Sequence, residues 1–202
     1  MKLERVLPYV KTLLTNSISP GDIVIDGTAG NGHDTLFLAK LVGSSGHVFA
    51  FDVQKAAIEA TLLRVAEWQD SVTVIHAGHE SISTYVSKEI SAAVFNLGYL
   101  PGKDHSIITQ PHTTIEAIES CLHLLKVNGL IVLVVYPGHE GGAEERDVLL
   151  TYVSNLPQSF VHVLKYEFVN QQNYPPFVLV IEKMKHQEKR KAPSNSTPAL
   201  EE

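Results

Sequence analysis

Val24-Ile25-Asp26-Gly27-Thr28-Ala29-Gly30-Asn31-Gly32-His33-Asp34-Thr35 joins an apolar run, a turn with three glycines and the opening of a helix. In a sheet whose strands alternate with helices, that junction is where a nucleotide-like ligand binds. Gly30 and Gly32 let the chain turn tightly and approach a ligand with no Cβ in the way. The spacing Gly30-x-Gly32-x-x-Thr35 matches the dinucleotide fingerprint only in part, because that pattern has Gly or Ala where Thr35 stands. Asp26, at the end of the strand, tilts the reading toward a positively charged ligand. A carboxylate there accepts from an ammonium group, directly or through water, and repels a pyrophosphate. Ala29, Asn31, Asp34 and Thr35 complete the candidate binding loop.

Outward from this loop, short β-rich runs alternate with helical patterns. Strands are expected over 23–26, 48–52, 72–75, 92–96 and 130–136, with helices near 33–42, 55–67, 81–87 and 112–126 between them. That rhythm predicts a parallel sheet. The helix near 112–126 carries Ile115, Ile118, Leu122 and Leu125 at spacings of three and four, and Asn128-Gly129 is expected to end it. After a helix near 143–154 come strand-like runs over 161–168 and 177–182, separated by eight residues. A parallel crossover takes about a dozen or more, so this pair is expected to be antiparallel. The predicted fold is α/β: a mostly parallel, seven-stranded, Rossmann-like sheet with an antiparallel last strand and helices on both faces, the class I methyltransferase pattern.

The chain's 202 residues, 44% of them hydrophobic, suffice for one ordinary domain. We expect it over 1–183, followed by a disordered tail over 184–202 that lacks apolar periodicity. The tail's cluster of Lys185, Lys189, Arg190 and Lys191 reads either as an RNA contact or as a solubilising segment. No apolar run approaches the ~20 residues of a membrane span, and the amino terminus has no secretory pattern, so the expected location is the cytoplasm. The single cysteine, Cys121, excludes an internal disulfide and a thiolate metal cluster. A net charge of −6 argues against coating nucleic acid by bulk electrostatics but leaves room for a local basic strip. Lys2, Arg5 and Lys11, with Lys103 further on, are the candidates for RNA contact. If the amino-terminal segment is helical, Lys2 and Arg5 share a face.

Asp52 closes the second strand and Gln54 follows it. An acid there can take a ribose diol in a bidentate pair, a role common to dinucleotide and S-adenosylmethionine sites. At the third strand's end, His79 reads as an adenine or ribose neighbour or as a plain loop histidine, and His76 as a strand-end residue without a role. Asn96-Leu97-Gly98-Tyr99-Leu100-Pro101-Gly102 follows the fourth strand at the topological switch. It resembles the Asn/Asp-Pro-Pro-Tyr/Phe motif of amino-methylating enzymes, with Leu97 and Gly98 in place of the prolines. The resemblance gives Asn96 the target nitrogen and Tyr99 the base. Tyr136 and His139, in the loop after the fifth strand, are further candidates to hold a base or relay a proton. The ten histidines make no H-x-x-x-H pair, and no metal is expected.

Four stretches carry a closer resemblance: Lys2-Leu3-x-x-Val6-Leu7-Pro8-Tyr9, the loop from Asp26 to Thr35, the segment from Ala93 to Gly102, and Asn170-Gln171-Gln172-Asn173-x-Pro175-Pro176-Phe177. Over about residues 1–184 the chain resembles the bacterial YtqB/MnmM group of rRNA methylases, understood as tRNA methyltransferases. The resemblance implies methyl transfer from S-adenosylmethionine to the amino nitrogen of 5-aminomethyl-(2-thio)uridine at the tRNA wobble position. It implies an anticodon stem-loop as partner, and a homodimer is compatible with it. Two other readings stay open: a methyltransferase acting on rRNA or a small-molecule amine, and a nucleotide-binding Rossmann module without catalysis.

Overall fold

Alternation within the strands decides where each helix packs. In β1 (Ile23–Asp26) and β4 (Ile90–Leu97), Val24 and Val94 face one way and Ile25 and Phe95 the other, and all four are buried. Strands covered on both faces belong to the centre of a parallel sheet. The computed structural model describes residues 2–98, 109–138 and 141–185. Tyr99, Lys103, His139 and the tail from 186 onward lie outside the described residues.

With β2 (His47–Asp52), β3 (Val72–His76), β5 (Leu125–Val135), β6 (Val161–Tyr166) and β7 (Phe177–Lys183), the sheet has the order β3-β2-β1-β4-β5-β7-β6. Strands β1 to β5 pair in parallel, and β7 is antiparallel to both β5 and β6. This is the expected α/β class I arrangement. Val6, Val10 and Leu14 of α1 (Val6–Ser17) and Leu38, Ala39 and Val42 of α2 (His33–Val42) pack on the Val24 face. Ile82 of α4 (Ile82–Tyr85), Ile118 and Cys121 of α5 (Pro111–Leu124), and Leu149 and Val153 of α6 (Gly142–Ser154) pack on the Ile25 face. Helix α3 (Lys55–Arg64) lies against β2 and β3. Successive strands run outward from β1 on one side and from β4 on the other, so a crevice opens at their carboxyl ends between β1 and β4. Among the described residues no helix is long and apolar enough to cross a membrane.

Two local expectations need correction. Helix α5 ends at Leu124, and Asn128-Gly129 lies inside β5, where Asn128 is left-handed (φ 65°) and the register with β4 breaks. A left-handed residue followed by glycine serves a strand irregularity as well as a helix end. At the amino terminus α1 begins only at Val6, with Arg5 extended before it, so Lys2 and Arg5 share no helical face.

The carbonyls at the end of α5 have an unusual partner. Lys183, 3% exposed, donates from Nζ to the carbonyls of Leu122 (2.8 Å) and Leu125 (2.6 Å). A cation suits the negative end of a helix. Lys183→Met leaves both carbonyls without that donor and is expected to cost about 1–3 kcal/mol, read as a lower urea midpoint with an unchanged slope.

Candidate active site

The glycine loop is held from behind by Asp26. Its carboxylate, fully buried, accepts from Thr35 Oγ1 at 2.6 Å and from the Thr28 amide at 3.2 Å. Burial first, then the charge of Asp34, pushes its pKa up from 3.8 to about 7. Asp26, Gly32 and Thr35 do not line the cavity in front of the loop. The Asp26 oxygens face the loop's own donors, Thr35 and Thr28. Gly32, at φ 76°, is pressed against α3, where a Cβ would sit 2.9 Å from the Thr61 backbone. The loop's residues thus divide into a supporting layer and a lining layer of Ala29, Gly30, Asn31 and Asp34.

The cavity, about 670 Å³, lies in the crevice at the carboxyl ends of β1, β2 and β4. Asp52 ties two of its walls together, accepting from the Gly30 amide at 2.9 Å and the Gln54 amide at 2.8 Å. A carboxylate has about four acceptor positions, so capacity remains for a diol. His79 closes the floor, 7% exposed, edge-on to Phe95. Its Nδ1 faces the Gly27 carbonyl at 3.2 Å, and a carbonyl only accepts, so Nδ1 carries the proton and Nε2 presents a lone pair. That buried Nε2 has no partner among the described residues. Burial holds the imidazole below its ordinary pKa, so it is a neutral acceptor, not a proton carrier. His76 instead bonds the Val53 carbonyl at 3.0 Å, outside the cavity lining.

On the opposite wall, Asn96 donates from Nδ2 to Asp34 Oδ2 at 2.8 Å, and its backbone amide donates to Thr28 Oγ1 at 2.7 Å. A carboxylate gives no proton, so the amide nitrogen must face Asp34, and Oδ1 is left as the acceptor. Tyr136 lines the same wall, its phenol held neutral by burial and by the charge of Asp34. Gly98 and Thr109, both of which line the cavity, bond each other twice, at 3.0 and 3.1 Å.

Sequence reasoning missed Thr28, Glu80, Thr109, Gln110, Thr113 and Tyr174, all of which line the cavity. Thr28 and Tyr174 carried a signal, their places in the glycine loop and beside the Asn-Gln-Gln-Asn stretch. Lys2, Arg5 and Lys11 are exposed and line no part of it, and the Lys11 ammonium sits 5.5 Å from the Phe37 ring. Three acids line the cavity, Asp34, Asp52 and Glu80, and among the described lining residues there is no Lys or Arg. The site is built to accept hydrogen bonds and positive charge. Among the described residues no three His, Cys, Asp or Glu are grouped to hold a metal ion.

Residues 48–182 match the model of a family described as "Putative rRNA methylase". The chain belongs to this rRNA methylase family. Its match contains Asp52, His79, Asn96 and Tyr136 and begins after the glycine loop. A structure from Clostridium thermocellum described as a "putative rRNA-methylase" extends the likeness across that loop, at 39% identity and TM-score 0.89, covering 91% of this chain and 100% of its own. A methyltransferase structure from Streptococcus mutans in complex with SAH is 39% identical, with TM-score 0.83 and coverage of 90% and 99%. The curated tRNA (mnm(5)s(2)U34)-methyltransferase, chloroplastic, of Arabidopsis thaliana is 40% identical over 178 residues, 82% of this chain. The chain spans 65% of that relative's length.

Proposed function

We propose that this member of the rRNA methylase family is an S-adenosylmethionine-dependent N-methyltransferase. Its substrate is 5-aminomethyl-(2-thio)uridine at the wobble position of tRNA, converted to the 5-methylaminomethyl form. The observation that carries the reading is the cavity's lining: acidic and acceptor groups at the switch point, with no Lys or Arg among the described lining residues to hold a pyrophosphate. Such a lining favours a cofactor with a sulfonium and an ammonium and an acceptor that is itself an amine, and disfavours a nicotinamide dinucleotide. The residues fit the cofactor. Asp52 is set for the ribose diol, the Nε2 of His79 would accept from a donor such as an adenine amino group or a ribose hydroxyl, and Ala29, Gly30, Asn31 and Asp34 would line the amino-acid end.

S-adenosylmethionine, when bound, supplies an electrophilic methyl group. An amine is a sufficient nucleophile once it has lost a proton, so the chain's work is placement and deprotonation. Asp34 draws the ammonium form of the substrate into the cavity. Asn96 Oδ1 accepts a hydrogen from the amine and aims its lone pair, and Tyr136 flanks the base. His139 and Tyr99 complete the reading as the proton acceptor and the ring beside the base. Cys121, buried in α5 with its thiol pKa pushed up by burial, takes no part.

The test is mass spectrometry of nucleosides after incubating the protein with S-adenosylmethionine and tRNA bearing the 5-aminomethyl group. Formation of the 5-methylaminomethyl nucleoside is the expected result, and methylation of rRNA or a small amine alone would reject the tRNA assignment. The rRNA reading is supported by the description of the family and by 27% identity over 86 residues to the ribosomal RNA small subunit methyltransferase H of Oceanobacillus iheyensis. Asp52→Ala is expected to weaken cofactor binding by about 1.5–3 kcal/mol, as measured by calorimetry. A cytoplasmic location, a body over 1–183 and RNA contacts by Lys2, Arg5, Lys11 and Lys103 belong to the same reading. So does a homodimer, supported by the exposed edge strand β6 and testable by light scattering.

A further inference from the structure

The stretch from Asn170 to Phe177 has no part in the reaction just described, yet it stands at the reaction site. It joins β6 to β7 and packs on the loop after β5, where a Cβ on Gly138 would lie 3.6 Å from the Tyr174 carbonyl. Asn173 and Tyr174 are both left-handed, at φ 63° and 50°. That conformation is tolerated by Asn but unfavourable for a bulky aromatic, and such outliers gather at ligand clamps. Its result is a tyrosine 68% exposed on the wall between two cavities. One is the cavity described above. The other, about 380 Å³, is lined by Arg146, Glu167, Gln171, Asn173 and Tyr174 among others.

The charges around this second cavity cancel. Arg146 Nε donates to Asp147 at 2.8 Å, and Lys165 pairs with Glu167 at 2.7 Å. Among the described residues a phosphate would find no uncompensated cation there, whereas a neutral planar group would find an exposed ring, two primary amides and the remaining Nη donors of Arg146. Unpaired loop bases are recognised by this combination, stacking on an aromatic with hydrogen bonds to the base edge.

We infer that the second cavity is the subsite for the nucleobase next to the modified nucleotide. The Tyr174 ring is its stacking platform, and Asn173, Gln171 and Arg146 form its hydrogen-bonding rim. The inference rests on the proposed reaction, since a loop whose target base enters the first cavity places an adjoining nucleotide across the Tyr174 wall. A free nucleoside would leave the subsite unused, so the subsite accounts for selection of a nucleotide within an RNA loop.

The experiment uses an anticodon stem-loop RNA carrying 5-aminomethyluridine and two versions of it, abasic at the nucleotide on either side of the target. Tyr174→Ala is expected to raise KM for the intact RNA about ten- to a hundredfold, with kcat changed less than about threefold. Tyr174→Phe keeps the stack and restores KM, and Arg146→Gln raises it severalfold. On one of the two abasic RNAs, Tyr174→Ala adds no further loss, because ring and base have then been removed as a pair. An unchanged KM for Tyr174→Ala and Arg146→Gln, or an equal loss on all three RNAs, overturns the subsite while leaving the reaction intact. If the parent protein transfers no methyl group to any of the RNAs, the proposed reaction fails and takes the subsite with it.

Discussion

Asn96→Ala lowers the rate of methyl transfer on the order of a hundredfold while affinity for S-adenosylhomocysteine stays within about threefold. The size follows from what is lost. Misplacing a reacting group by an ångström is enough for two orders of magnitude, and Asn96 Oδ1 is the acceptor that aims the amine. Its Nδ2 is spent on Asp34 at 2.8 Å, so the amide cannot turn over without facing oxygen to carboxylate. Asp34→Asn weakens that lock and removes the negative charge that attracts the ammonium. It is expected to raise KM and lower the rate together, by about tenfold each. Because the two residues act as a unit, the double variant should be no slower than Asn96→Ala by more than about twofold. Single-turnover transfer and calorimetry check this. An equal loss of turnover and cofactor affinity in Asn96→Ala would place Asn96 on the cofactor instead.

The sheet was legible because its strands carry their two-sided burial in the residue pattern. Val24 against Ile25 and Val94 against Phe95 feed separate cores, and no reading of that alternation other than central strands is economical. The boundary of α5 was not legible. Asn128-Gly129 advertises a turn to any left-handed backbone, and only the register between β4 and β5 shows that it falls within a strand. At the site, single residues at strand ends could be named one by one, as Asp52, His79 and Asn96 were. Their relations could not. Asp34 and Asn96 are 62 residues apart and meet only because β4 lies beside β1. Asp26 shows the converse, for a strand-end acid looks the same in sequence whether it faces a ligand or the back of the loop that binds one. In the structure Asp26 is fully buried and its oxygens meet the loop's own donors.

That burial makes Asp26 a measurable load on the fold. The unfolded carboxyl loses its proton near the ordinary 3.8, whereas in the folded chain burial and the neighbouring Asp34 raise the pKa to about 7. Between those values the native state binds more protons than the unfolded state, so this group's contribution is fully present below about pH 4. It is lost as pH rises through 7. At about 1.4 kcal/mol per pH unit, the window is worth on the order of 4 kcal/mol. Asp26→Asn carries no proton equilibrium and should escape this loss. Relative to the parent, the variant is expected to be less stable at pH 4, where the amide loses a hydrogen bond to Thr35 or Thr28. It should gain on the parent up to about pH 7 and level off above it. Urea unfolding at intervals across that range reads the difference directly. A difference that stays constant from pH 4 to 8 would mean that Asp26 ionises alike in both states, and that Thr35 and Thr28 hold it as an ordinary carboxylate. With Asp34→Asn as background the same window should narrow, because one of the charges raising the Asp26 pKa has been taken away.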